Sequence, residues 1–149
     1  MDKITVSGWV KITHFDSTGT ILNIEEGKNL VVSSGKNFLS KLLNGLSTAP
    51  FKYMAVGTDV TAENVAQTTL IAEVTTPSNM ARKEATATYV PDFQAKLSAV
   101  FTNNSGSPIT LKEAGLFDIA ENMLARKTFG DKIISASEAI QIDWSVAVS

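Results

Sequence analysis

In the stretch ITVSGWVKI, Ile4, Val6, Gly8, Val10 and Ile12 fall on one face and Thr5, Ser7, Trp9 and Lys11 on the other. That period of two predicts a half-buried strand. DSTG follows, a turn in which Gly19 can supply a positive φ and Asp16 or Ser17 a side-chain acceptor, so TILNIEEG reads as the return strand of a hairpin. The period then changes. In SSGKNFLSKLLNGL the residues Phe38, Leu39, Leu42, Leu43 and Leu46 recur at helical spacing, which predicts a helix over about residues 33–46. Ser33 or Ser34 would cap it, Gly45 would stop it, and a sheet would cover its apolar stripe.

FKYMAVGT predicts a short strand ending at Gly57, and DVTAENVAQTTLIAEV a long polar loop with a turn or two of helix around Leu70, Ile71 and Val74. The second half reads as strand throughout. RKEATATYV places Lys83, Ala85, Ala87 and Tyr89 on one side; FQAKLSAVF alternates through Phe93, Ala95, Leu97, Ala99 and Phe101. Pro91 between them marks a tight connection, because proline cannot donate to a ladder. ITLKEAGLFDI, NMLARKTF and AIQIDWSVAV complete the series, the last with Ile140, Ile142, Trp144, Val146 and Val148 on one face. Short alternating strands joined by turns, without a βαβ rhythm, predict a mostly β fold. The expected form is an antiparallel β-sandwich or jelly-roll of about eight strands, with one short helix, as a single domain over residues 1–149.

Composition narrows the chemistry. The chain has 149 residues and no cysteine, so disulfides, thiol catalysis and cysteine-based metal sites are excluded. A formal net charge of −2, with scattered basic residues, argues against a nucleic-acid partner. The N-terminal alternation differs from the continuous apolar run of a signal peptide, and no segment has the length of a membrane span, so no membrane partner is expected.

Few residues invite a catalytic reading. His14 is the only histidine, and a Ser–His–Asp arrangement would have to use it; beside Asp16 it reads as a partly exposed side chain at a strand end. Gly35-Lys36 follows a strand and opens a helix, but the first glycine and the hydroxyl residue of a phosphate loop are missing. Glu25-Glu26 lacks the spaced acidic series of a calcium loop and reads as a solvated hairpin end. No catalytic residue, metal site or cofactor is assigned. Glu113 stands out because it shares the alternation of Leu111, Gly115 and Phe117. A carboxylate among apolar neighbours needs hydrogen-bond donors or a basic partner. It is read as a structural clamp on the long loop GTDVTAENVAQTTL, residues 57–70, whose backbone groups need partners.

The series DSTGTILNIEEGKNLVVSSGKNFLSKLLNG, YMAVGTDVTAENVAQTTLIAEV and ITLKEAGLFD to IQIDWSV resembles a group of tailed-bacteriophage virion proteins. In that group a strand precedes N-L-V, a helix follows, V-G-T leads to a threonine-leucine pair and a glutamate, and E-A-G-L-F precedes a W-x-V strand. The matching positions are Asn29, Leu30, Gly35, Gly57, Thr58, Leu70, Glu73, Glu113, Gly115, Leu116 and Phe117. The resemblance implies a non-enzymatic virion component. One form is a capsid decoration or head-fibre protein that binds the major capsid protein and itself, with a trimer at a lattice symmetry axis as one arrangement. The alternative is a tail fibre, collar or baseplate component that binds a receptor or glycan. Trp9, Tyr53 and Met54, read as apolar residues on exposed faces, are the candidate assembly contacts.

Overall fold

A computed structural model describes residues 2–149. Ten strands form two antiparallel five-stranded sheets, packed face to face as a β-sandwich. The strands are β1 (Val6–Phe15), β2 (Ile21–Lys28), β3 (Leu30–Val31), β4 (Tyr53–Gly57), β5 (Lys83–Glu84), β6 (Thr86–Val90), β7 (Gln94–Thr102), β8 (Ile109–Phe117), β9 (Met123–Ile134) and β10 (Ala139–Val148). The one α-helix among the described residues, α1, spans Ser33–Leu43. One sheet has the order β2-β1-β10-β7-β6 and the other β3-β9-β8-β4-β5.

The two strands beyond the expected eight arise where the chain changes sheets. At Asn29 it leaves β2 in the first sheet and enters β3 in the second, and at Ala85 it passes from β5 back to β6. Each crossing takes one residue, too short a break to show in a period-two pattern. Both crossings are fastened: Asn29 Oδ1 accepts from the buried Trp144 indole at 3.0 Å, and the Ala85 N–H donates to Lys52 O at 2.7 Å.

Between the sheets lie Val10, Ile12, Met54, Val56, Leu97, Phe101, Leu111, Leu116, Phe129, Ile140, Ile142 and Trp144. Met54 is therefore core and not an exposed contact residue, because Met54 pairs with Leu116 in the middle of the second sheet. Tyr53 is half-buried against a second cluster made of Val32, Ala55, Leu70, Phe117 and Met123. That cluster covers the outer face of the second sheet. The sheet is thus buried on both sides, by the sandwich core and by the loop after β4.

The first hairpin follows its turn chemistry. Gly19 takes φ +86°, and Asp16 Oδ1 accepts from the Thr18 and Thr20 N–H groups, each at 2.9 Å. The Thr18 hydroxyl and these amides hold the Asp16 carboxyl below its ordinary pKa. β1 pairs with both β2 and β10, and beyond its start Thr5 and Ser149 exchange two main-chain bonds.

Helix α1 departs from expectation in three ways. It stops at Leu43, its N-cap is Val32 with no side-chain cap, and its stripe is incompletely covered. Close approach explains the docking. A Cβ on Gly35 would lie 2.6 Å from both Cα and O of Leu124, so only glycine lets the first turn rest on the β9 backbone. The helix is held at that end while Leu43 and Leu46 remain in solvent.

The free edge of β9 beyond β3 is closed by side chains. Glu63 accepts from the Thr128 N–H at 2.7 Å, and Glu25 accepts from the Gly130 N–H and, at 2.7 Å, from Lys132 Nζ. Carboxylates standing where a neighbouring strand would bond protect an edge from pairing with foreign strands. Glu25 is consequently no solvated hairpin end. Partial burial pushes its pKa up, but the bonds from Lys132 and Gly130 outweigh that and hold it below the ordinary glutamate value.

Candidate functional site

Glu113 sits in the middle of β8, paired across the ladder with Gly57 of β4 and Thr128 of β9. A bulge between Leu111 and Glu113 breaks the alternation, so Leu111 points into the sandwich while Glu113, Gly115 and Phe117 face outward beneath the 58–74 loop. Placing Leu111 and Glu113 on one face is thereby corrected. The carboxylate is fully buried. Its Oε1 accepts from the Ile71 N–H and from Arg126 Nε, both at 3.0 Å, and its Oε2 from the Ala72 N–H at 2.8 Å and the Asp59 N–H at 3.3 Å.

Arg126 lies diagonally across the β8–β9 pair, opposite Gly115. Diagonal neighbours on an antiparallel ladder are within reach of long side chains. Its guanidinium also donates to Thr61 O at 2.6 Å and Gln67 Oε1 at 3.3 Å, so one ion pair grips the loop at both roots and near its middle. The small residues around it serve the same end. A Cβ on Gly57 would collide with the Glu113 carboxylate and come within 2.6 Å of Ala72 O, and one on Gly115 would press on Leu70 and Phe117.

The rest of the loop is extended rather than helical. Residues 72–74 run beside the end of β4, with the Thr58 N–H donating to Ala72 O and the Val74 N–H to Val56 O. Leu70 and Val74 are buried by this pairing, which is why their spacing imitates a helical stripe. Glu73 accepts two bonds from Arg82, whose guanidinium stacks on the Phe117 ring at 3.7 Å. A single 3-10 turn, Ser78–Met80, completes the segment. At the other root, Asp59 is held below its ordinary pKa first by the Thr61 hydroxyl and amide, with Arg126 adding a smaller pull.

Chemically, this node has no spare acceptor aimed at solvent. Both oxygens of Glu113 are occupied by loop amides and Arg126, and Nε and Nη1 of Arg126 are committed to Glu113 and the loop, while its Nη2 is buried without a hydrogen-bond partner among the described residues. His14 is likewise committed. It lies near the end of β1 as expected, but buried rather than partly exposed, and its Nε2 lies 2.9 Å from Glu138 Oε1, which also accepts from the Ser135 N–H. Among the described residues no three His, Cys, Asp or Glu side chains gather as a metal set.

Two surface recesses carry exposed aromatic rings. The larger is a groove of about 600 Å³ at one end of the sandwich, between α1 and the β6–β7 hairpin. Leu39, Leu42, Phe51, Val146, Leu116 and Leu124 are among its walls, and Tyr89 and Phe93 stand on its rim, 85% and 81% exposed. Phe93 had the alternation of a core residue. It leaves the core because it belongs to the turn, with φ +68°. The smaller feature is a recess in which Trp9, 46% exposed, neighbours Ser7, Lys28, Gln94 and Ser145. The Trp9 indole donates to Glu26 Oε1 at 3.2 Å.

Trp9 and Tyr53 are far from a common site: Trp9 is on the outer face of the first sheet, Tyr53 under the loop of the second. Arg126 escaped the sequence reading, although its signal was present. A short turn after β8 places a basic residue of the next strand within one diagonal of Glu113. No family model, curated protein or solved structure matches the chain.

Proposed function

We propose that the chain is a non-enzymatic structural protein of a tailed-bacteriophage virion, a capsid decoration protein that binds the major capsid protein and further copies of itself and stabilises the assembled head. The carbon-lined groove, with two aromatic rings held out on its rim, is the observation that carries this reading. Exposed contiguous apolar surface of this kind marks a binding surface, and contact with a neighbouring protein is one of its uses. The buried charged groups support the same side, since Glu113 and Arg126 are spent on fixing a loop. Decoration would raise particle stability through contacts that exist only in the assembled lattice.

Copy number tests it. In purified virions, quantified by mass spectrometry against the major capsid protein, the expected result is a fixed high ratio near the number of lattice positions. A few copies per particle would move the protein to the tail or one vertex, and absence from virions would remove the reading altogether.

The Trp9 recess favours a second reading, a tail fibre, collar or baseplate component that binds glycan. An exposed indole face flanked by amide, hydroxyl and ammonium groups suits the apolar face and hydroxyls of a sugar ring. On this reading a glycan array gives a hit that Trp9→Ala abolishes. Equal binding by the two proteins would rule the recess out.

A further inference from the structure

We infer that the groove between α1 and the β6–β7 hairpin receives the hairpin tip of a second copy of this chain, the two copies exchanging tips reciprocally. The inference deepens the assembly reading and names its self-contact. It rests on that reading only for where the copies meet, since the contact itself belongs to the isolated protein.

Backbone conformation supplies the first observation. Val90 and Gln94 close the hairpin as a ladder pair, and the residues between them, Pro91, Asp92 and Phe93, form the tip. Asp92 and Phe93 both take φ +68°. Aspartate tolerates the left-handed region, but a bulky aromatic there is an outlier that glycine or asparagine would relieve. The tip is nonetheless fixed, because Phe93 O accepts from the Val148 N–H at 3.0 Å. A strained backbone therefore presents a ring that touches little of its own chain.

Area supplies the second. Burying the Tyr89 and Phe93 rings would remove about 300–400 Å² from each copy. A smaller recess shares Val6 and Leu39 with the groove and adds Ile4 and Leu43, 68% and 77% exposed. Together these come to roughly 600–700 Å² per copy, the lower part of the range that standard stable interfaces use. The groove is deep enough to receive a ring, since the core residues Leu97, Leu116 and Leu124 form its floor.

Charge supplies the third. Among the described residues Asp92 at the tip and Lys96 beside the groove form no ion pair within the chain. Reciprocal exchange gives each the other as partner. Because the tip and the groove adjoin on the same surface, one two-fold axis satisfies both contacts at once, which is the condition for a closed isologous pair.

The test is sedimentation equilibrium of the purified protein between about 1 and 100 μM, a range that spans ordinary affinities for an interface of this size. The expected mass is twice the 15.9 kDa of the chain. Phe93→Asn should weaken association by at least about thirtyfold, as loss of a central aromatic anchor does. Its melting temperature as a monomer should be unchanged or higher, because asparagine accepts the positive φ. The exposed pair gives an independent check: Lys96→Glu should weaken the dimer and Asp92→Lys in the same chain should restore it. A monomer throughout the range overturns the inference, whether the groove is empty or filled by a co-purified lipid or peptide. So does a dimer indifferent to both sets of substitutions. Neither result bears on copy number in virions, so the two readings fail separately.

Discussion

Replacing Arg126 with leucine is expected to cost about 3–5 kcal/mol, the penalty for leaving a buried carboxylate without its cation. For a chain of this size that lowers the melting temperature by roughly 10 °C. The argument is specific to the geometry. Glu113 is fully buried, and among the described residues Arg126 is its only charged partner, 3.0 Å away. Glu113→Gln should cost less, about 1–3 kcal/mol, because the amide keeps one oxygen for the loop N–H groups but turns an amino group toward others. Removing both charges, with Glu113→Leu and Arg126→Met, should recover part of the Arg126→Leu loss. Thermal unfolding of the four proteins checks this. If Arg126→Leu melted within about 1 °C of the parent, the pair would not be holding the loop.

Gly57→Ala is expected to be nearly as damaging, at about 3 kcal/mol, the upper part of the range for overpacking. The added methyl meets Ala72 O at 2.6 Å and the Glu113 carboxylate itself, neither of which is a flexible chain end. One of them has to move. Since the sheet is fixed on its core side, the loop should yield. Amide hydrogen exchange distinguishes local from global loss: the Ile71 and Ala72 N–H groups should exchange much faster in the variant, while those of β1 and β10 keep their protection. Unchanged exchange at Ile71 and Ala72 would show that the close approach is not what seats the loop.

The first sheet was legible in the sequence because it is wet on one side. β7, β10 and β1 as far as Ile12 bury alternate residues, and Val10, Ile12, Leu97, Phe101, Ile142 and Trp144 lie in the core as their period predicts. The second sheet was harder for a physical reason. With the sandwich on one face and the loop on the other, β4 and β8 bury successive residues, and alternation no longer separates inside from outside. Met54 was misplaced for this reason. The bulge before Glu113 adds a shift of face that no composition rule announces. Glu113 was still conspicuous because a carboxylate is costly wherever a strand is dry. Arg126 was not, since an arginine on a strand usually reads as solvent-facing until its hairpin register is worked out. The helix misled in another way: its stripe was real, but its outer part faces a groove and not the chain's own sheet.

The pairing of β1 with β10 bears on how the domain carries force. The strands run antiparallel in register from Val6 and Val148 to Phe15 and Ala139, and the bonds between Thr5 and Ser149 extend the ladder toward the two chain ends. Tension applied through those ends meets the ladder as a zipper does, loading one pair of bonds at a time and starting with the outermost. Tension applied along β9 instead meets its long ladder with β8 together with Glu25, Glu63 and Arg126, which share the load at once. Any assembly that subjects this domain to strain is therefore best served by gripping it across its faces and leaving its ends slack.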